Sequence, residues 1–202
     1  MKLSTSAVAF TFALCLASSG AAAAAPGTKL ANGHITAQFG DSGLLSLADT
    51  VLGITVTFPQ DDFGLTVDGV TYASASLPLP TRTASKDRVS YAWAAAPYRL
   101  TVDYELAAGW RFVAKRISVT GGSKPFRVGE VVVFQSTVAD PITAHFVPKS
   151  VRPSLGTGDY GACLRFDKSR GLLAVAQNPF LEFRRDGQAF SLRYRPDMDW
   201  NP

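Results

Sequence analysis

Apolar and polar residues alternate with a period of two along much of this chain, and this pattern constrains the fold more than any other feature. Every even position from Tyr98 to Leu106 is apolar and every odd position between them is polar. Near the end of the chain, Phe190, Leu192 and Tyr194 alternate with polar residues in the same way. Successive side chains of a strand point to opposite faces, so the pattern predicts strands with one buried face and one solvated face.

Tight-turn sequences separate these candidate strands. Asn32-Gly33, Asp68-Gly69 and Asp186-Gly187 suit hairpin turns, which need residues that adopt positive φ. No segment after residue 24 offers an amphipathic helix of ten or more residues with caps. About thirteen to fifteen candidate strands at this spacing predict an all-β fold with two antiparallel layers packed face to face.

The apolar phase changes between two neighbouring segments of the predicted sheet. Trp110 and Phe112 occupy even positions, whereas Ile117 and Val119 occupy odd ones. One extra residue in a strand would produce this shift, so we predict a β-bulge near Lys115-Arg116.

The first 24 residues are typical of a secretory signal peptide. Lys2 provides the positive charge, residues 7–17 an apolar stretch, and Ala22-Ala23-Ala24 a small-residue cleavage site. The alternative is a membrane anchor, but the apolar stretch is shorter than the ~20 residues that a spanning helix needs. Cleavage after Ala24 would leave one domain over residues 25–202 and predicts a secreted or periplasmic protein without a membrane span.

Signal cleavage would remove Cys15 and leave Cys163 alone, so no intramolecular disulfide is expected and stability must come from the core. The chain carries 20 Lys and Arg against 16 Asp and Glu, a formal net charge of +4. These basic residues are scattered, whereas nucleic-acid binders concentrate charge on one face. Nucleic acid is therefore not an expected partner.

The sequence contains no complete catalytic set. His34, His145 and Cys163 lack the spacing of a zinc site, and no nucleophile elbow or phosphate-binding glycine loop is present. We therefore expect neither a metal nor another cofactor. His145 is the better candidate for a general base, with a purely structural histidine as the alternative.

Two pairs of carboxylates deserve comparison with glycoside hydrolysis, which needs two acids facing one bond. Asp61 and Asp62 are sequence neighbours and would point to opposite faces of a strand, whereas Asp197 and Asp199 would share a face if the strand continued to them. We interpret both pairs as solvated or turn acids, and we predict no catalytic residue in this chain.

Sugar binding calls for aromatic rings that stack on C–H faces and for polar groups that bind hydroxyls. The candidate residues for carbohydrate binding are Trp93, Trp110, Tyr160 and Trp200, with Asp159, Asp199, Asn178 and His145 as polar partners. Trp110 alternates with Phe112, so a core position is its alternative. Tyr160 lies in a glycine-rich loop, where packing explains an aromatic residue less well. Trp200 has packing against a further domain as its alternative.

Several segments resemble one type of domain. Residues 30–35 (LANGHI) and 39–49 (FGDSGLLSLAD) are similar to the opening hairpin of the N-terminal β-supersandwich of secreted glycoside hydrolases. This is the galactose-mutarotase-like fold found ahead of α-galactosidase-type barrels. Residues 109–119 and 177–181 also resemble segments of such domains. The resemblance implies a two-layer antiparallel β-supersandwich whose catalytic carboxylates would lie on a following barrel.

The sequence ends at residue 202 without such a barrel, so we expect either the front of a longer hydrolase or a separate module. The leading hypothesis is an exported, non-catalytic module that contacts carbohydrate or docks a catalytic domain. One alternative is a small mutarotase-like or lyase-like enzyme that uses His145 with an acid. Another is a structural envelope protein whose exposed sheet edges pair with partners.

Overall fold

A computed structural model of the protein describes residues 27–121, 124–152, 156–159, 161–176 and 181–200. The predicted signal peptide lies outside these residues. Within them, the single helical element is a 3₁₀ turn at Ser74–Ser76, and no helix is long and apolar enough to cross a membrane. The predicted all-β class is therefore confirmed.

Nineteen strands occur in the part of the chain that the structure describes. They are β1 (Thr28–Ala31), β2 (Ile35–Phe39), β3 (Leu44–Asp49), β4 (Ile54–Thr57), β5 (Gln60–Val67), β6 (Val70–Ala73), β7 (Thr81–Ala84), β8 (Arg88–Ala95), β9 (Tyr98–Glu105), β10 (Ala114–Gly121), β11 (Phe126–Thr137), β12 (Ala144–Phe146), β13 (Lys149–Arg152), β14 (Gly156–Asp159), β15 (Gly161–Arg165), β16 (Gly171–Val175), β17 (Glu182–Asp186), β18 (Ala189–Tyr194) and β19 (Met198–Trp200).

These strands form five small antiparallel sheets. Two are four-stranded meanders, β1-β2-β3-β4 and β7-β8-β9-β10. The largest has the order β17-β18-β11-β5-β6, with β19 also paired to β11, and the other two are β12-β15-β16 and β13-β14. The sheets are arranged like the blades of a propeller, so the two-layer sandwich stays a prediction.

Turns between the strands follow the sequence closely. Gly33 has a φ of 87° between β1 and β2, and Asp68 and Gly69 have φ values of 49° and 79° between β5 and β6. Two successive positive φ values are what a type I′ hairpin turn requires. In the β17–β18 hairpin, Asp186 still pairs with Ala189, so this turn lies one residue later than predicted.

The predicted bulge near Lys115-Arg116 is wrong. β10 pairs with β9 from Ala114 to Gly121 without a shift in register. Trp110 and Phe112 lie in the loop before β10, so the phase change marks the beginning of a strand and not an extra residue within it. Register shifts occur instead in β11, for example between Val132 and Phe134 against β18.

Two clusters of buried side chains form the core. The first joins β2, β5, β8 and β9, where the alternation around Tyr98–Leu106 buries every second side chain from Leu100 onward. The second joins β15, β16 and β18 with residues that follow β4 and β11. Cys163 is exposed and free, so among the described residues the core carries the stabilisation without a disulfide.

Candidate functional site

The aromatic residues proposed for sugar binding lie in different environments. Trp93 is 2% exposed and its ring meets Phe63 edge-on at 5.0 Å, so the prediction that Trp93 contacts sugar is wrong. Its position in the apolar phase of β8 explains this burial. Tyr160 and Asn178 lie outside the described residues, and of Trp200 only the backbone is described, in β19.

The two proposed acidic partners have structural neighbours. Asp159 is buried, and its Oδ2 accepts a hydrogen bond from the Phe183 backbone N–H at 2.8 Å. Asp199 is exposed and lies 3.2 Å from Arg127, which also pairs with Asp197 at 3.0 Å. The strand does not continue through Asp197, which has a φ of 47° and lies before β19, so the condition for a shared strand face is not met. Both acids nevertheless pair with the same surface arginine.

Trp110 belongs to an exposed aromatic pair. Its ring stacks on Phe112 with centroids 4.5 Å apart and an interplanar angle of 17°. Trp110 is half-buried against the first core cluster, whereas Phe112 is 55% exposed. The pair therefore has one ring anchored by the core and one ring presented to solvent.

Asn32 holds the loop that carries this aromatic pair. Its side-chain amide donates to the carbonyls of Ala107 at 2.7 Å and Trp110 at 2.9 Å. Its Oδ1 accepts from the backbone N–H groups of His34 and Ile35 at 3.1 and 3.0 Å. One side chain in the β1–β2 turn thus fixes both its own turn and the aromatic loop, 75 or more residues away.

A third loop lies beside the β1–β2 turn. The Thr50 hydroxyl donates to the carbonyl oxygens of Gly33 and His34, at 2.9 and 3.0 Å. The next residues, Val51 and Leu52, are exposed apolar side chains. We call residues 32–34, 50–53 and 107–112 the three-loop end. It combines fixed backbone with exposed apolar and aromatic side chains.

His145 lies elsewhere, at the edge of an open cavity of about 390 Å³ on the β12-β15-β16 sheet. The side chain is exposed, its Nδ1 lies 3.4 Å from an Arg185 guanidinium nitrogen, and its ring lies 5.3 Å from Phe183. No carboxylate contacts His145 among the described residues. The acid that would orient a general base is therefore not in place there.

The pair Asp61 and Asp62 contradicts its interpretation as solvated, because both side chains are buried. Asp61 Oδ1 accepts from Lys115 Nζ at 2.8 Å and from the Ser136 hydroxyl at 3.0 Å. Its Oδ2 accepts from the Tyr104 hydroxyl at 2.7 Å and from a backbone N–H at 3.2 Å. Asp62 points elsewhere and accepts from Ser74 at 2.7 Å, so the predicted opposite orientation holds.

Four donors leave Asp61 without a free lone pair for proton transfer, even though a second cavity of about 250 Å³ adjoins it. Burial of the Tyr104 phenol, together with the charge and hydrogen bond of Asp61, raises the pKa of Tyr104 well above its ordinary value. A Cβ added at Gly43 would lie 2.6 Å from the backbone carbonyl oxygen of Asp61, so the β2–β3 turn packs directly on the backbone of Asp61. We interpret the cluster of Asp61, Lys115 and Tyr104 as structural, and call it the buried polar cluster.

Sequence reasoning missed the residues that make these arrangements. Phe112 was assigned to a strand, and nothing local links Asn32 to the aromatic loop or Lys115 to Asp61. No group of three or more metal-ligating side chains occurs within the described ranges.

Comparison of the chain with protein-family models, with curated proteins and with solved structures finds no match.

Proposed function

We propose that this chain is an exported, non-catalytic module of a carbohydrate-active protein, and that the three-loop end makes the sugar contact. In this proposal the domain is a two-layer β-supersandwich of the galactose-mutarotase-like type, secreted or periplasmic, that serves a glycoside hydrolase. The observation that carries the proposal is the Trp110–Phe112 stack.

The geometry of this stack suits a sugar ring. A pyranose offers an apolar C–H face, which packs on the flat face of an aromatic side chain. Phe112 presents such a face, and Trp110 beneath it is held by the core. Because Asn32 already fixes the loop, little conformational freedom is lost when a ligand binds.

Docking of a catalytic domain is the other half of the same proposal. Val51 and Leu52 are further exposed apolar side chains of the three-loop end, on the loop that Thr50 ties to the β1–β2 turn. Apolar side chains clustered at one end of a domain favour contact with a partner. A longer gene product with a following domain would place that partner in the same polypeptide.

The enzymatic alternative has less support, because His145 contacts Arg185 and Phe183 where a catalytic histidine needs an orienting acid. The structural envelope alternative requires exposed sheet edges that pair with a partner, and no contact among the described residues supports such pairing. Sugar turnover that disappears in His145→Ala would favour the enzyme over the binding module.

Phe112→Ala is expected to weaken the affinity for neutral polysaccharide about tenfold, or about 1.4 kcal/mol. The substitution removes the exposed ring and leaves the core intact, so the melting temperature should stay near that of the parent. Titration calorimetry of the mature protein with galactan and galactomannan oligosaccharides measures the change.

Leu79→Ala provides the matched control, because Leu79 is 79% exposed in the extended segment before β7 and far from the three loops in sequence. It should bind like the parent. The proposal is wrong if the parent binds no neutral glycan, or if Phe112→Ala binds as tightly as Leu79→Ala.

A further inference from the structure

We propose that the cavity on the β12-β15-β16 sheet binds the carboxylate of an acidic sugar, so that the glycan recognised by this protein contains uronate residues. This inference rests on the proposed function for the carbohydrate nature of the ligand, and it names the chemical class. It concerns a surface distinct from the three-loop end.

The strand register builds the cavity. Phe146, Cys163 and Leu173 are cross-strand neighbours, and all three are exposed on the outer face of the sheet. In the next row of cross-strand neighbours, Arg165 on β15 lies between Ala144 on β12 and Gly171 on β16. Small residues on both sides of a long cationic side chain leave room beside it, which explains the volume of about 390 Å³. This size lies within the range of about 300–1,000 Å³ typical of small-molecule sites.

Charge in the cavity is positive after local pairing is counted. Asp167 accepts from the Arg170 side chain at 2.6 Å and from backbone N–H groups of the same turn, and these contacts hold its pKa below the ordinary range. Arg170 also reaches Asp140 at 3.2 Å. These three groups satisfy one another, so Asp167, the one acid that lines the cavity among the described residues, does not neutralise the other cations.

Two cations remain for a ligand. Arg165 uses its Nε for the carbonyl oxygen of Asp167 at 3.0 Å, and its two terminal nitrogens have no partner within the described residues. Lys168 is exposed and forms no hydrogen bond or ion pair there. A guanidinium matches a carboxylate with two parallel hydrogen bonds, and an ammonium adds a point charge.

The apolar wall distinguishes a uronate from an inorganic anion. Phe146 is 67% exposed and borders the same cavity as Arg165 and Lys168. A sugar acid carries both a carboxylate and an apolar ring face, and it uses the cations and the phenyl ring together. Sulfate or phosphate would use only the cations.

The test compares three probes by titration calorimetry on the mature protein: trigalacturonate, its neutral galactose counterpart and inorganic sulfate. We expect the parent to bind trigalacturonate, with affinity that falls between 50 and 200 mM salt because ion pairs are screened. Arg165→Gln and Lys168→Gln should each weaken this binding at least fivefold. Lys86→Gln, an exposed lysine in the β7–β8 turn of another sheet, should leave it unchanged.

Phe146→Ala separates the two sources of negative charge. It should weaken trigalacturonate binding severalfold and leave any sulfate binding unchanged. The inference is overturned if trigalacturonate does not bind, if Lys168→Gln binds it like Lys86→Gln, or if Phe146→Ala has no effect and sulfate binds equally well.

The outcomes also separate this inference from the proposed function. Neutral glycan binding that depends on Phe112, without trigalacturonate binding, would overturn this inference and support the proposed binding module. Trigalacturonate binding that depends on Arg165 and Lys168 and is unchanged in Phe112→Ala would support this site. It would overturn the sugar contact proposed for the three-loop end. If neither glycan binds, both proposals fail.

Discussion

Lys115→Met is expected to lower the free energy of unfolding by about 3–5 kcal/mol, the cost of leaving one partner of a buried ion pair uncompensated. Lys115 Nζ lies 2.8 Å from Asp61 Oδ1, and the two side chains are only 2% and 3% exposed. Lys115 Nζ also donates to the Asp62 carbonyl oxygen at 3.0 Å and lies over the rings of Tyr104 and Phe134. Methionine retains most of the volume, so the loss reports on the charge. Urea denaturation followed by tryptophan fluorescence measures it.

Arg88→Met is the matched control, because Arg88 and Glu105 form a solvent-exposed pair at 3.5 Å on the same sheet. An exposed pair contributes about 0–1 kcal/mol, so this variant should stay close to the parent. Adding Asp61→Asn to Lys115→Met should recover part of the lost stability, since Asp61→Asn removes the carboxylate charge that Lys115→Met leaves unpaired. Equal small losses in Lys115→Met and Arg88→Met would contradict the structural role assigned to the buried polar cluster.

Local sequence patterns predicted the features that depend on neighbours along the chain. Alternation around Tyr98–Leu106 gave the right buried face, because one strand face meets the core wherever that strand lies in the sheet. Asp68-Gly69 gave a turn with two positive φ values, because few residue types adopt them at low cost. Both inferences need only the chemistry of a few adjacent residues.

Features that depend on distant partners were not predictable in this way. Asp61 looked like a solvated acid because Lys115, its counter-ion, is 54 residues away and lies on a different sheet. The same limit applies to Trp93 and Trp110. Both are tryptophans in apolar phases, yet one lies within a strand of the core and the other in a loop that Asn32 holds at the surface.

The cationic cavity shows a third kind of limit. Arg165 and Lys168 are close in sequence, but their freedom from acidic partners follows from Arg170, which engages both Asp167 and Asp140. A count of charges along the chain weighs all of these residues equally. Only the geometry of the β15–β16 turn shows which charges are already paired and which remain for a ligand.

The stability of the fold is expected to fall as the pH rises from 10 to 12. Burial raises the pKa of Tyr91 to about 12, and burial with the neighbouring Asp61 carboxylate raises the pKa of Tyr104 well above its ordinary value of 10.0. Between pH 10 and 12 the unfolded chain therefore loses phenolic protons that the folded chain keeps. The unfolded state then binds fewer protons, so the free energy of unfolding decreases with pH across this window, and it is independent of these phenols below pH 10.

Tyr104→Phe tests the assignment, because it removes the phenol and keeps the ring. The variant should be less stable than the parent at pH 8, since Asp61 loses a hydrogen bond of 2.7 Å. Its further loss between pH 10 and 12 should nevertheless be smaller than that of the parent, so the two curves of melting temperature against pH converge. Parallel curves across this window would show that ionisation of the buried Tyr104 phenol does not cause the loss of stability between pH 10 and 12.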